Sequence, residues 1–423
     1  HLKTGARVAA TVPLQSNVSL AFMGMTLLGD GFRLEPEQFA TLGFDARSRP
    51  SVVRPYVTGR DLSQGGDARF VIDMFGLSAD DARRSYPKLY NHLVKTVKPI
   101  RDKQNESAPR ERWWLFGRTR PELRDAMRGL KRFIVTLETS KHRFFQFLSA
   151  AVVPDHSLFV VASDDGFVLG VLSSRVHLAW SAAMGGTLED RPRWRSQTCF
   201  DPFPFPDAKA AQRAKIAKLG EAIDAHREAR QKADPELALT DVYNVLAKLR
   251  AGAALTDNDE SVRERAMVDT LRDLHDDLDR AVFEAYGWPA TLTDDEILTH
   301  LVELNAKRAQ EEAKGKVRYL RPDFQAGLPV APTKAPAVPA KAAKPTRSAK
   351  VDATKWPTDV FERVGAVVRA LQGRDEAVGA EVVAATFTGA TVDEVVMALR
   401  NAAAAQLVAR IVTDDGEAWI ARA

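Results

Sequence analysis

Two acidic stretches of this sequence have the residue order found in metal-dependent nucleases. Asp155 follows Pro154, and Asp207 precedes Lys209 by two positions, which gives an acid and then an acid-x-lysine pair. Carboxylates in such a site must converge on Mg²⁺ from adjacent strands. Here more than fifty residues separate the two aspartates, and the second opens a helical stretch after a proline run. A chance match is therefore the alternative to a nuclease site.

The other common enzyme signatures are absent from the sequence. It contains no glycine-rich phosphate loop, no HExxH and no G-x-S-x-G elbow. The glycine-rich cofactor strand and the Asn/Asp-Pro-Pro-aromatic motif of amino-methyltransferases are missing too. The single cysteine, Cys199, excludes a multi-cysteine zinc site and a disulfide framework, and it suits a reducing cytoplasm. We therefore predict that this chain itself holds no catalytic residue, no metal and no bound cofactor.

The distribution of charge is more informative than its total. The net charge is only +4, but residues 101–143 hold 12 Lys and Arg against 6 Asp and Glu. Clustered cations attract phosphate whatever the base sequence. A solvated basic surface is the alternative interpretation.

No apolar run of about 18 residues predicts a membrane span, and the start at His1 indicates a fragment of a longer protein.

Residues 1–206 have the pattern of a mixed α/β domain. Short apolar runs predict strands at 69–72, 132–137 and 158–162. Helical spacing predicts helices at 78–97 and 167–180, the first capped by Ser78. The alternating phenylalanines and prolines of 203–206 can continue neither element, so they end the domain.

The rest of the chain predicts an α+β protein of several parts. Residues 207–325 have the apolar stripe of a helical bundle, in which Thr293 and Glu296 form a capping box. Residues 326–356 form a linker, because 331–350 is mostly Ala, Pro and Lys with five basic and no acidic residues. Residues 357–423 predict three helices and a hairpin at Asp414-Asp415-Gly416, a small winged-helix-like domain.

The role of the small terminal domain cannot be taken from its fold. Its third helix carries Asp393 and Glu394 and ends near Arg400. Two acids and one arginine suit a major groove poorly, so a structural or protein-contact role is favoured over DNA binding.

Seven runs of the first domain, in order, carry a resemblance to a known family. They are FMG with LGDGF (22–24, 28–32), RPYVTGRDL (54–62), VIDMFGL (71–77), ERWWLF (111–116), ETSKHRF (138–144), LGVLSSRVH (169–177) and CFDPFPFP (199–206). AYGWP (285–289) and YLRP (319–322) extend it through the helical region. Together they resemble the target-recognition region of the type IIG/IIL restriction-modification enzymes, which are class I S-adenosylmethionine-dependent DNA methyltransferases.

The resemblance covers about residues 10–325 and implies a division of labour. Residues 1–206 would be a DNA target-recognition domain, and 207–325 a helical spacer. The partners implied are double-stranded DNA and an upstream methyltransferase domain of the parent enzyme. The resemblance implies adenine-N6 methylation and the use of S-adenosylmethionine for that parent enzyme. It does not imply them for this chain, because the catalytic core and nuclease are missing from it. Whether the parent also cleaves DNA stays open.

A recognition domain that serves methylation must distinguish base pairs directly. Bidentate Arg or Lys contacts read guanine, and acidic side chains accept from cytosine. Two segments fit this chemistry, and the residues predicted to read bases are Ser140, Lys141, His142, Arg143, Glu189, Asp190, Arg191, Arg193 and Arg195. The outer face of a strand is the alternative for the three alternating arginines.

A further set of arginines is predicted to bind phosphate, which positions a protein without specifying sequence. These residues are Arg54, Arg60, Arg110, Arg112, Arg118 and Arg120. Two other functions stay open at this point, namely a helical assembly adaptor and the Mg²⁺-dependent nuclease using Asp155 and Asp207. For each of the three we predict a cytoplasmic protein without a membrane partner.

Overall fold

The computed structural model of the protein describes residues 11–44, 49–65, 69–188, 191–328, 354–357, 359–371, 378–384, 386–404, 408–413 and 416–421. The chain divides into two compact units, His1–Ala337 and Val338–Ala423. The first unit holds one hydrophobic core that runs from Leu20 to Leu301, so the mixed α/β region and the helical region share it. The mixed α/β content predicted from the sequence is confirmed.

Within the described residues of the first unit, the strands form two four-stranded sheets and a small ribbon. Their bounds are β1 Ala21–Met23, β2 Arg33–Leu34, β3 Val53–Val57, β4 Arg69–Ile72, β5 Arg132–Leu137, β6 Gln146–Ser149, β7 Val153–Pro154, β8 Leu158–Val161, β9 Thr187–Leu188 and β10 Arg191–Pro192. One sheet has the order β1-β8-β5-β6, and the other β2-β4-β3-β7. The predicted strands at 69–72, 132–137 and 158–162 are confirmed within a residue.

The central strand β5 positions the loop that follows it. It pairs antiparallel with both β6 and β8, with Val135 opposite Gln146 on one side and Val160 on the other. Its residues from Phe133 to Leu137 are buried. A fully buried strand of β-branched and aromatic residues gives a rigid base to the segment beginning at Glu138.

Helices are the most abundant regular element among the described residues of the first unit. Their bounds are α1 Pro36–Thr41, α2 Gly59–Gln64, α3 Ala79–Ser85, α4 Pro87–Thr96, α5 Lys98–Arg101, α6 Ser107–Glu111, α7 Pro121–Ala126, α8 Gly166–Ser173, α9 Arg175–Met184, α10 Ala210–Ala233, α11 Leu239–Ala251, α12 Asp257–Ala266, α13 Val268–Tyr286, α14 Asp294–Ala313 and α15 Pro322–Gln325. A 3₁₀ turn at Asp30–Phe32 and a π turn at Ser196–Phe200 complete the unit. The predicted caps at Ser78 and Thr293 are confirmed.

Two helices predicted as continuous are each broken. Residues 78–97 form α3 and α4, which part at Tyr86 because Pro87 cannot continue the first helix. Residues 167–180 form α8 and α9, which part at Ser174 with a bend of 64°. The carboxylate of Asp279 accepts from the backbone N–H of Arg175 at 2.7 Å and so caps the second helix.

No single helix among the described residues has the length and composition of a membrane span, although the bent pair α8–α9 meets that test when its two parts are taken together.

Glycines bring the helical region into close contact with the α/β region. A Cβ on Gly220 of α10 would lie 2.8 Å from the backbone of Gly170 in α8. A Cβ on Gly170 would in turn lie 2.7 Å from Ile216. The two helices can therefore contact each other at these positions only because glycine has no side chain.

Hydrogen bonds from long-range partners fix the beginning of the described chain to the helical region. Glu312 of α14 accepts from the backbone N–H groups of Gln15 and Ser16 at 2.7 and 3.0 Å. Asn305 donates to the carbonyls of Val12 and Pro202. The helical region is therefore an integral part of the first unit.

The second unit has its own core around Val367, Leu399 and Trp419. Its elements are β11 Thr354–Lys355, α16 Val360–Leu371, β12 Val378–Gly379, α17 Ala380–Ala384, β13 Phe387–Thr388, α18 Val392–Ala404, β14 Val408–Thr413 and β15 Gly416–Ala421. The last two pair antiparallel, and β12 joins β15. The predicted turn residues Asp414 and Asp415, like most of the predicted linker, lie outside the described residues. The winged-helix assignment stays a prediction.

Candidate nucleic-acid interface

The two segments predicted to read bases lie side by side. Thr139 and Arg193 form an antiparallel bridge. The backbone N–H of Ser140 donates to the carbonyl of Pro192 at 3.2 Å, and that of Trp194 donates to Glu138 at 2.8 Å. Main-chain pairing of this kind holds two loops in a fixed relation. The loop of 138–143 and the segment of 191–195 are therefore one structural feature, which we call the paired loops.

The paired loops are anchored by a buried tryptophan. The indole of Trp194 is fully buried and lies edge-on to Phe145 and Phe159. Its N–H donates to Nε2 of His177 at 3.1 Å. Burial lowers the pKa of His177 to about 3, so the imidazole is neutral and can accept this hydrogen bond. The paired loops consequently rest on a rigid aromatic layer.

A groove opens beside the paired loops. It has a volume of about 550 Å³, and its lining includes Arg60 and Gln64 of α2 together with Ser140, Lys141 and Arg191. Three cationic side chains thus converge on one concave surface, and they come from three separate parts of the sequence. We call this surface the basic groove.

The cations of the basic groove differ in how firmly they are held. Arg191 is exposed, and its side chain has no hydrogen bond or ion pair with the residues that the structure describes. Arg60 is exposed too, and its Nε donates to Gln64 at 3.1 Å. Lys141 is exposed, and its Nζ donates to Oδ1 of Asn244 at 2.7 Å. All three can offer donors to a ligand in the groove.

Arg143 is held inside the protein. Its guanidinium donates to Oγ1 of Thr136 and to the carbonyls of Glu138 and Pro192 at 3.2, 3.3 and 3.1 Å, and to the carbonyl of Leu137. Burial lowers its pKa to about 10. A contact with a base would require these bonds to break, because a guanidinium has five N–H donors in a fixed plane. In this conformation Arg143 shapes the paired loops.

The side chains of Ser140 and Arg193 also make internal contacts. Oγ of Ser140 donates to the carbonyl of His142 at 2.7 Å. Arg193 forms an ion pair with Glu138, and both side chains are 23% exposed. The Nε of Arg193 is buried without a partner among the described residues, so part of its donor capacity is unused.

The remaining predicted base-reading residues fall into two groups. Arg195 is exposed, and its side chain has no hydrogen bond or ion pair within the described parts of the chain. Glu189 and Asp190 lie outside the described residues. The base-reading role of each stays a prediction.

Two of the arginines predicted to bind phosphate are only partly exposed and donate to the protein backbone. Arg54 donates to the carbonyls of Ala150 and Ala151 at 2.9 and 3.1 Å and pairs with Asp73 at 3.3 Å. Burial lowers the pKa of Arg54, and that of Arg120 as well. Arg120 donates to the carbonyl of Gly24 at 3.1 Å.

The other predicted phosphate ligands are exposed. The side chain of Arg112 has no hydrogen bond or ion pair to the described residues. Arg110 donates to the carbonyl of Gln104 at 3.3 Å, and Arg118 lies 3.8 Å from Glu106. Exposed arginines with weak or no internal contacts remain free to bind phosphate oxygens. With Arg60, these residues keep the expected role as a prediction.

The two aspartates of the nuclease hypothesis have different surroundings. Asp155 is 4% exposed and accepts from Oγ of Ser157 at 2.6 Å and from the hydroxyl of Tyr56. Asp207 is largely exposed and lies 3.1 Å from Arg318. No group of three or more His, Cys, Asp or Glu residues suited to a metal occurs in the part of the chain that the structure describes. Asp155 thus joins the turn that follows β7 to strand β3.

The helical region contributes to this surface in a way that the sequence did not predict. Tyr243 and Asn244 of α11 touch the paired loops directly, at a separation of about a hundred residues. Gln64 was not singled out either, although it lines the basic groove. The only sequence signal was the amphipathic spacing of α11, which predicts a buried face without revealing what covers it.

Comparison with known families decides the nature of this unit. Residues 8–207 match the family described as MmeI, target recognition domain. This segment is therefore similar to the target recognition domain of MmeI. The recognition domain, as we call it from here, contains both paired loops and every residue predicted to contact DNA.

Two relatives of known identity are similar to parts of the chain. DNA methyltransferase A of Bacillus subtilis (strain 168) is 25% identical over 99 residues, which is 22% of this chain and 11% of that protein. The solved structure of the type IIL restriction-modification enzyme MmeI in complex with DNA has a TM-score of 0.54 at 18% identity. That likeness covers 70% of this chain and 36% of the MmeI chain. The fold therefore extends beyond the recognition domain, and the chain spans only a minor part of either relative.

Proposed function

We propose that the recognition domain reads a specific base sequence in double-stranded DNA, for a larger restriction-modification enzyme that methylates adenine at N6. The observation that carries this proposal is the convergence of Arg60, Lys141 and Arg191 on the basic groove beside the paired loops. The family match and the solved MmeI–DNA complex support it. We retain residues 1–206 as the recognising part and 207–325 as its helical support.

In this proposal the groove residues divide between reading and positioning. Lys141 and Arg191 offer N–H donors that suit the O6 and N7 acceptors of guanine. Arg60 binds a phosphate, and the exposed Arg112 binds another. Arg143 fixes the shape of the paired loops through its contacts with Thr136 and Pro192.

The chemistry of methyl transfer belongs to the parent enzyme in this proposal. S-adenosylmethionine would supply the methyl group within an upstream methyltransferase domain. We assign no residue of the present chain to that cofactor, whose known binding motifs the sequence lacks. A cytoplasmic location follows from the same proposal and stays a prediction.

The proposal is tested first by equilibrium binding of the chain to duplex DNA. Selection from a randomised duplex pool should enrich one sequence. Affinity for that duplex should fall linearly in a plot of log affinity against log salt. Failure to retain any duplex at low salt would remove the proposal.

The assignment of the groove is tested by paired alanine variants. We expect Lys141→Ala and Arg191→Ala each to reduce discrimination at one base position by about 10-fold or more, since a good base contact contributes about 1–3 kcal/mol. Lys131→Ala and Arg83→Ala remove exposed charges that do not line the groove and should leave the base preference unchanged.

Replacement of a phosphate ligand should have a different signature. Arg112→Ala should weaken binding to all duplexes alike and reduce the salt slope by about 1. Equal loss of preference in the groove and control variants would contradict the assignment of the groove.

A further inference from the structure

One amide side chain of helix α11, that of Asn244, forms hydrogen bonds with the paired loops. Oδ1 of Asn244 lies 2.7 Å from Nζ of Lys141 and 2.8 Å from Nε2 of His142. Two consecutive residues of the recognition domain thus share one acceptor that is supplied from about a hundred residues further along the chain. Both residues were predicted from the sequence to read bases.

The chemistry of the three groups fixes their orientation. A lysine ammonium can only donate, so the amide atom facing it must be the oxygen. His142 meets the same oxygen, so its Nε2 must carry a proton. The Nδ2 donors of Asn244 have no hydrogen-bond partner among the described residues. Both lone pairs of one oxygen are therefore engaged, and the loop is held in one arrangement.

The helix that carries Asn244 is itself held firmly at this point. The ring of Tyr243 stacks on those of His142 and Phe144, with interplanar angles of 27° and 8°. Its hydroxyl lies 3.1 Å from both Nη1 of Arg227 and Nε2 of His275, which are buried. A side chain on such a scaffold occupies a defined position.

We propose that Asn244 is a positioning residue that determines specificity by holding Lys141 and His142 in the geometry needed to read a base. This inference rests on the proposed function. A lysine has a flexible four-carbon stem, and an unheld ammonium can reach acceptors on several bases. A hydrogen bond from Nζ to one amide oxygen restricts the ammonium to the acceptors of one base. The helical region, predicted as a spacer, thereby takes part in reading.

The test compares Asn244→Ala with Asn258→Ala in the full chain. Asn258 lines the same cavity next to Lys141 and His142, is exposed, and forms no hydrogen bond with either residue. We expect Asn244→Ala to lower the ratio of affinities for the preferred duplex and its single-base variants by about 10-fold. Affinity for unrelated duplex at low salt should stay the same, because no charge changes. Asn258→Ala should leave both quantities unaltered.

A second variant separates positioning from a merely structural role. Asn244→Asp keeps an acceptor for Lys141 and His142 but adds a negative charge. It should preserve the base preference while lowering affinity for every duplex. The side-chain ¹⁵N resonance of His142 Nε2 should shift in Asn244→Ala and stay near its original position in Asn258→Ala.

The outcomes are distinguishable from failure of the proposed function. If the unsubstituted chain binds one sequence selectively and Asn244→Ala keeps that preference, the positioning role is wrong and the proposed DNA recognition stands. Loss of preference in Asn244→Asp as well as Asn244→Ala, with unfolding temperatures below that of the parent, would also overturn it in favour of a structural role. If the unsubstituted chain binds no duplex, both the proposed function and the positioning role of Asn244 are wrong.

Discussion

At the scale of single residues, the chain divides its arginines between internal and external contacts. The guanidinium groups of Arg143 and Arg54 donate to backbone carbonyls. Arg191 and Arg112 are exposed, and their side chains have no hydrogen bonds to the described residues. The sequence alone makes these four equivalent, because each is an arginine in a segment expected to meet DNA. Only the tertiary position of an acceptor decides which guanidinium is available to a ligand.

A partly buried carboxylate, that of Asp201, gives a residue-scale prediction about pH. Burial raises the pKa of Asp201 to about 7, and no hydrogen bond to its carboxylate from the described residues offsets that burial. The unfolded chain ionises this group near pH 3.9. Between these values the folded state holds a proton that the unfolded state has lost, so stability falls as pH rises through that window. An asparagine side chain cannot ionise, so Asp201→Asn should gain stability over the parent across the same window and keep the gain above it.

Urea unfolding at several pH values measures this difference. The exposed Asp164 provides the control, because Asp164→Asn should change stability by a small amount that is nearly independent of pH. A constant difference between Asp201→Asn and the parent from pH 4 to pH 8 would contradict a raised pKa.

At the scale of elements, the sequence predicted the strands and helix caps that depend only on neighbouring residues. Strands β4, β5 and β8 and the cap at Thr293 were found from alternation, apolar runs and a three-residue spacing. The break at Ser174 was missed, because the carboxylate that caps the following helix comes from Asp279, about a hundred residues away. Contacts of that range have no signature in a single sequence.

The helix contact between α8 and α10 gives an element-scale prediction. A Cβ on Gly220 would lie 2.8 Å from backbone atoms of Gly170, so Gly220→Ala should push the helices apart. We expect a loss of about 1–3 kcal/mol in the free energy of unfolding, which is typical of overpacking. Gly327→Ala has room for its Cβ and should be neutral or slightly stabilising. Chemical denaturation of the two variants checks the contrast.

At the scale of the whole molecule, the sequence predicted the parts more successfully than their dependence on one another. The recognition domain was recognised from seven runs of residues, and its family assignment is confirmed. The helical region was expected to be a spacer, yet it shares the recognition domain's core and supplies Asn244 to the paired loops. Composition and periodicity mark where a region begins; they carry no information on how much core two regions share.

This shared core predicts how the chain tolerates truncation. A chain ending at Pro206 would lose Arg227, Asn305 and Glu312, which satisfy buried backbone groups of the recognition domain. It would also expose the apolar face of α8 that packs against α10, so it should fail to fold cooperatively. A chain ending at Leu328 keeps all of these contacts and should unfold in one sharp transition with the same base preference as the full chain. Thermal unfolding followed by circular dichroism distinguishes the two. Cooperative unfolding of the shorter chain would mean that the recognition domain is stable alone and that the helical region only extends it.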